Sequence, residues 1–275
     1  MKNSLISEKE LKDLWEDPNL VILDVSPTSN IAMLTASHPE LMIKDAFLVN
    51  IKEELSTANS PFPNTFPSKE VFDAFSKSIG LNDDSIVVVY DNLGIYSSPR
   101  VWWIMKTMGF QNVSVLNGGL SSWIEAKGET EHRTQRTRPG NGLFSGILNR
   151  DSIKYYDQVL DDIETSSFKV VDARSAGRFK GESSEPRNHL KSGSIKNSEN
   201  IPFKEVLING KLKSEQELKN IFKPYANQDL VFSCGSGMTA CILRLAADQV
   251  IDNPMSVYDG SWTEWAEKQK LLVDE

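Results

Sequence analysis

The sequence predicts an α/β fold made of two tandem domains, each a parallel sheet flanked by helices. Three observations carry this prediction. Short apolar, β-branched runs recur along the chain, as buried parallel strands require. Helical stretches separate them, and alternation of the two gives a sheet with helices on its faces. The second half also repeats the order of the first. Residues 21–25 read Val-Ile-Leu-Asp-Val, 85–91 read Ser-Ile-Val-Val-Val-Tyr-Asp, and 113–123 begin Val-Ser-Val-Leu and end on Trp123. Their counterparts are Phe-Lys-Val-Val-Asp-Ala-Arg at 168–174, Leu-Val-Phe-Ser-Cys at 230–234, and Met-Ser-Val-Tyr-Asp-Gly-Ser-Trp-Thr-Glu-Trp at 255–265. Between strands, 68–79 starts on a Ser cap and stops at Gly80, and 214–222 starts on Ser214 and stops before Pro224. The stretch 129–150, rich in Arg, Thr, Gly and Pro, has no apolar period and reads as a linker. The expected domains are therefore 1–130 and 151–275, joined by 131–150.

With 39% hydrophobic and 25% charged residues, the chain has the balance of an ordinary globular protein, so a packed core is expected in each half. The net charge of −8 argues against nucleic acid as a partner, since phosphate binding needs a basic face. An anionic small molecule would need a local basic pocket. The longest apolar runs, such as 86–90 and 101–105, are too short to span a membrane, and no membrane partner is expected. The N-terminal segment lacks the pattern of an export signal, so the expected address is cytoplasmic. In that reducing compartment Cys234 and Cys241 are not expected to form a structural disulfide.

Cys234 ends an apolar strand and opens Cys-Gly-Ser-Gly-Met-Thr-Ala, after which a helical period begins at about Thr239. A strand, tight loop and helix in this order surround the loop centre with backbone N–H groups, an environment for an anion. A thiolate is favoured there and is a competent nucleophile. Gly235 and Gly237 are read as permitting positive φ and turning the loop amides inward. A cysteine at a strand end also serves as a small core hydrophobe, and the local residues leave both readings open. Cys241, two helical turns along, is read as core.

The loop Cys234-Gly-Ser-Gly-Met-Thr resembles that of the 3-mercaptopyruvate sulfurtransferases within the rhodanese family. The resemblance covers nearly the whole chain: residues 94–103 and 116–120 resemble the family's non-catalytic domain, and 171–181, 185–187, 200–203 and 258–262 its catalytic one. It implies two rhodanese-like domains and transfer of a sulfane sulfur from 3-mercaptopyruvate or thiosulfate, through a Cys234 persulfide, to cyanide or a thiol acceptor such as thioredoxin. It assigns Arg178 and Arg187 to the substrate's carboxylate and keto groups, which suits a guanidinium fork. Ser236 joins Cys234 as catalytic, and Gly235, Gly237, Met238 and Thr239 line the substrate loop. No cofactor or metal is implied. Gly235 and Ser236 are neutral where thiosulfate-preferring members carry cations, which favours mercaptopyruvate. In the first half the position of Cys234 is taken by Asp91, which cannot carry sulfur. Arg174 is read as structural, Arg100 as a brace, Tyr96 as a cleft residue, and the tryptophans at 102, 103, 123, 262 and 265 as core.

The chain departs from the family where an Asp and a His usually serve the loop serine: those positions read Lys52 and Asn64. The three histidines, His38, His132 and His189, are scattered, with no zinc-binding spacing. His189 follows the Arg187 motif and reads as a solvated loop residue. A thiosulfate-preferring enzyme and a non-catalytic sulfur carrier are the alternatives. A cysteine phosphatase, which needs an Arg six residues after the Cys, is argued against by Ala240.

Overall fold

The computed structural model describes residues 4–273. They form two compact units, each an α/β domain on a five-stranded sheet. Unit 1 runs up to Ala58 and includes Phe66–Leu148 and Leu207–Leu212; unit 2 consists of Asn59–Thr65, Asn149–Val206 and the chain from Lys213. Residues expected as linker thus belong to unit 1 as far as Leu148. Thr130–His132 pairs antiparallel with Leu41–Ile43. Beyond it, Arg133 donates to Asp24 at 3.3 Å and to the Ser26 carbonyl at 3.1 Å, and Arg138 bonds Glu54 and the Leu48 carbonyl. Arginines hold this irregular chain in place, and an apolar period cannot reveal that.

The sheet of unit 1 has the order Leu5–Ile6, Val113–Leu116, Ile86–Tyr90, Leu20–Asp24, Phe47–Leu48, with every pair parallel. Unit 2 repeats it as Ile153–Lys154, Met255–Tyr258, Leu230–Ser233, Lys169–Asp172, Glu199–Asn200. The central strands are buried almost throughout, which explains their unbroken apolar runs. Helix Lys69–Ile79 is capped by the Ser68 side chain and closes on left-handed Gly80. Helix Glu215–Phe222 opens on a Ser214–Glu217 capping box. The core of unit 1 packs Leu11, Ile22, Val88, Leu120 and Trp123; that of unit 2 packs Val159, Val170, Val231, Trp262 and Trp265. Trp102 and Trp103 are buried as well, so the five tryptophans expected in the core all lie there. Among the described residues no helix is long and apolar enough to cross a membrane.

Asp91 follows the central strand of unit 1 and is fully buried. Its Oδ2 accepts from the amides of Tyr96, Ser97 and Ser98 at 2.9–3.0 Å and from the Ser98 hydroxyl at 2.7 Å. The Leu93 amide donates to Oδ1 at 3.0 Å. Burial pushes the carboxyl above the ordinary aspartate range, and the Ser98, Tyr96 and Leu93 donors oppose that. The loop between strand and helix is thus an anion cradle whose anion is a side chain. Removing it strands several buried donors, each costing about 1–3 kcal/mol. Asp91→Ala is therefore expected to lose at least about 3 kcal/mol in urea denaturation; a loss below about 1 kcal/mol would show that the carboxylate does not hold the loop.

Candidate active site

Cys234 occupies the same place in unit 2, just past the end of strand Leu230–Ser233 and ahead of helix Ala240–Asp248. It is 2% exposed. Its backbone is fastened on both sides. The amide donates to the Ser261 hydroxyl at 3.2 Å, and the carbonyl accepts from the Trp262 amide at 2.9 Å. Unit 1 has the second contact too, since Leu120 N–H donates to the Asp91 carbonyl at 3.1 Å. There the residue before it is Gly119, at φ +57°; in unit 2 it is Ser261, at φ +51°. A serine accepts this left-handed backbone because its hydroxyl braces Cys234 and donates to the Tyr258 carbonyl at 2.9 Å. Thr263 finishes the anchoring with its amide and hydroxyl on the Gly235 carbonyl, at 3.1 and 2.6 Å.

In the cradle of unit 1 the amides two, five and six residues after Asp91 point at its carboxylate. The loop of unit 2 is one residue shorter before its helix. The amides of Ser236, Met238 and Thr239, which correspond to those donors, find no acceptor among the described residues. Cys241 points elsewhere: its Sγ lies 3.2 Å from the Gly237 carbonyl, so its thiol proton is engaged inside the helix start. The two loop glycines have different tasks. Gly237 adopts φ +79°, where a side chain is strained. Gly235 does not have positive φ, which corrects the expectation for it. A Cβ there would sit 2.9 Å from Nη2 of Arg178, so glycine lets the guanidinium approach without shifting.

That guanidinium is held by Glu185, a residue whose role the sequence does not reveal. Glu185 is 3% exposed and takes Nε and Nη2 of Arg178 at 3.1 and 2.6 Å. It also accepts from Arg174 Nη1 at 2.8 Å. Arg174 makes a bidentate pair with Asp172, reaches the Gly193 carbonyl at 2.6 Å and lies 4.3 Å from the Trp262 ring centroid. Burial works against its charge, but Asp172 and then Glu185 hold it above the ordinary arginine value. Arg174 is structural, as expected. Arg187 differs: it is half-buried, its carbonyl accepts from the Leu190 amide at 2.9 Å, and its side chain forms no hydrogen bond or ion pair among the described residues. Burial draws it below the ordinary arginine value, and negative charge at Cys234 is the strongest opposing influence, ahead of Glu185. Arg187 is thus the guanidinium with side-chain donors to spare within electrostatic reach of Cys234.

The other expected residues sort plainly. Asn64 lies in unit 2 and its Nδ2 is 3.1 Å from both the hydroxyl and the carbonyl oxygen of Ser236. Lys52 is an exposed residue of helix Ile51–Glu54 in unit 1. His189 is solvated, with Nε2 3.3 Å from Glu267. His38 and His132 are in unit 1, exposed or nearly so. Tyr96 is buried and gives its amide to Asp91; Arg100 is buried against the Trp103 ring. Two surface hollows of unit 2 gather around Phe168 and Asp229, where strands begin, and include neither Cys234 nor the arginines. Ligands of parallel sheets bind at the opposite, carboxyl ends, where the Cys234 loop lies.

A family model described as the rhodanese-like domain matches residues 7–126 and 155–268. Thiosulfate sulfurtransferase of Rattus norvegicus is 37% identical over 256 residues, covering 90% of this chain and 85% of the relative. The 3-mercaptopyruvate sulfurtransferase of Escherichia coli K12 is 32% identical over 265 residues, covering 94% and 93%. The crystal structure of SseA from Escherichia coli, described as a 3-mercaptopyruvate sulfotransferase, superposes with a TM-score of 0.80 at 30% identity, over 94% of this chain and 99% of that one.

The two arginines are embedded differently, and stability measurements will separate them. Arg178→Ala takes the Nη2 donor away from Glu185 Oε2 and is expected to cost about 1–3 kcal/mol. Arg187→Ala breaks no internal bond and should stay within about 0.5 kcal/mol of the parent in urea denaturation. Equal losses would contradict this division.

Proposed function

This chain belongs to the rhodanese family, and from that premise we propose that it is a sulfurtransferase carrying sulfur on Cys234. The observation that carries the reading is a buried cysteine at the centre of a loop whose amides of Ser236, Met238 and Thr239 have no acceptor among the described residues, beside an unpaired arginine. This is a place for a thiolate and then for a persulfide anion. Cys234 is the nucleophile and Ser236 its catalytic neighbour. Gly235, Gly237, Met238 and Thr239 form the loop that receives the substrate, and Arg187 and Arg178 receive its carboxylate and keto oxygen.

The donor we propose is 3-mercaptopyruvate. The Cys234 thiolate attacks its sulfur, a sulfur–sulfur bond forms, and the carbon–sulfur bond breaks. The electron pair of that bond leaves with the three-carbon fragment as the enolate of pyruvate. A proton from the new persulfide or from water completes pyruvate, and the persulfide remains as an anion in the loop. A thiolate acceptor, a small thiol or one such as that of thioredoxin, then attacks the outer sulfur and returns Cys234 to the thiolate. This is two-step covalent catalysis. The cytoplasm, where such acceptors are kept reduced, is the compartment we propose.

Thiosulfate is the second donor to test, because relatives bear either name at similar identity. Thiosulfate carries two charges on a compact tetrahedral group, and the loop beside Cys234 offers neutral Gly235 and Ser236. Steady-state turnover of both donors, with dithiothreitol as acceptor, tests the reading. Mercaptopyruvate is expected to have the higher kcat/KM. Cys234→Ser should abolish turnover, and Cys241→Ser should leave it. Arg187→Ala, losing a charge-assisted contact of about 1.5–3 kcal/mol, should lower kcat/KM roughly 10- to 150-fold. Turnover of neither donor leaves a sulfur-carrier module as the reading, and a higher kcat/KM for thiosulfate reverses the donor.

A further inference from the structure

We infer that Asn64 is a positioning residue that fixes Ser236 as a hydrogen-bond donor to the anion in the Cys234 loop; this rests on the sulfur-transfer reading above. Asn64 Nδ2 lies 3.1 Å from the Ser236 carbonyl and 3.1 Å from the Ser236 hydroxyl oxygen. A carbonyl only accepts, so the atom facing it must be the NH₂ group and not the amide oxygen. That group has two protons and cannot accept. The hydroxyl oxygen therefore receives a hydrogen bond from Asn64, and its own proton must point elsewhere.

Among the described residues that proton has no acceptor. Ser236 is buried, so water is not a ready substitute. The unmatched donor stands two residues after Cys234, in the same loop as the unmatched amides of Ser236, Met238 and Thr239. The acceptor is then the anion that the reaction itself creates: the persulfide, whose outer sulfur extends beyond Cys234 Sγ. The backbone supports the arrangement. Asn64 has φ +56°, a left-handed conformation that asparagine adopts more readily than most residues. The turn around it is tied by the Thr65 hydroxyl, which donates to the Phe62 carbonyl at 2.9 Å. A histidine that accepted the serine proton would send it the opposite way, towards residue 64. Here the group that faces the hydroxyl is the Asn64 amide donor, so Ser236 is a fixed donor and needs no general base.

The test is a set of kcat values for 3-mercaptopyruvate turnover with dithiothreitol, in which position 64 is Asn, Ala or Asp and position 236 is Ser or Ala. The Asn64→Asp substitution keeps nearly the same shape, but an ionised carboxylate only accepts, so it turns the hydroxyl round. Ser236→Ala is expected to lower kcat about tenfold, and Asn64→Ala about threefold, since a free hydroxyl still finds the anion. Asn64→Asp should fall about tenfold below Asn64→Ala when Ser236 is present. In the Ser236→Ala background the two should differ by less than about threefold, since no hydroxyl remains to turn. An equal gap in both backgrounds assigns the effect to charge alone and overturns the inference, as does no gap in either. A Ser236→Ala loss well beyond about a hundredfold overturns it too, because a base would then be serving the serine. If the unsubstituted protein turns over no donor, the sulfur-transfer reading itself fails and takes this inference with it. Turnover with the wrong pattern of variants removes the inference alone.

Discussion

An anion buried at the carboxyl end of a parallel strand must be satisfied by the loop that follows it, and both halves of this chain are built around that requirement. In unit 1 the group in the cradle is built in: the Asp91 carboxyl, with the amides of Leu93, Tyr96, Ser97 and Ser98 closed around it. In unit 2 the carboxylate gives way to a thiol, and the corresponding amides are unmatched among the described residues. The same loop is therefore satisfied from within in one unit and has donors without acceptors in the other. Burial of Cys234 is consistent with this, because a preorganised cradle is worth more where water cannot compete. Anchoring by Ser261, Trp262 and Thr263 keeps the cradle from relaxing.

A chain of charges leads outward from the loop. Asp172 and Glu185 neutralise Arg174 inside the core, and Glu185 passes on to Arg178, whose Nη2 lies against Gly235. Three of these four charges are buried, so their worth lies in aiming the fourth as much as in net stability. Arg187 stands outside that chain, and its side chain has no hydrogen-bond or ion-pair partner among the described residues. In a protein with a net charge of −8, these two arginines are a local source of positive field.

Much of this is legible in the sequence. The strand runs, the Ser68 and Ser214 caps and the repeat predict the two sheets, because burial on both faces and helix capping leave direct marks on residue choice. Motifs single out the Cys234 loop, Asp91 opposite it in the repeat, and Arg178 and Arg187. What stays hidden depends on contacts between residues distant in sequence. Asn64 and Ser236 are 172 positions apart, and a missing histidine reads as a loss although the asparagine in its place still reaches the serine. Glu185 sits in a recognised motif, but only the structure shows that it links two arginines. Gly235 and Gly237 look alike in sequence, yet one answers to a steric approach and the other to backbone conformation. The irregular stretch after Thr130–His132 reads as linker because side-chain hydrogen bonds from Arg133 and Arg138 leave no periodic signal.

Mass spectrometry of the protein after incubation with 3-mercaptopyruvate shows whether the Cys234 loop holds a sulfur-bearing anion. One additional sulfur is expected on the peptide containing Cys234, removed by dithiothreitol and missing from Cys234→Ser. Sulfur found on Cys241, or on neither cysteine while pyruvate is released, would contradict that expectation.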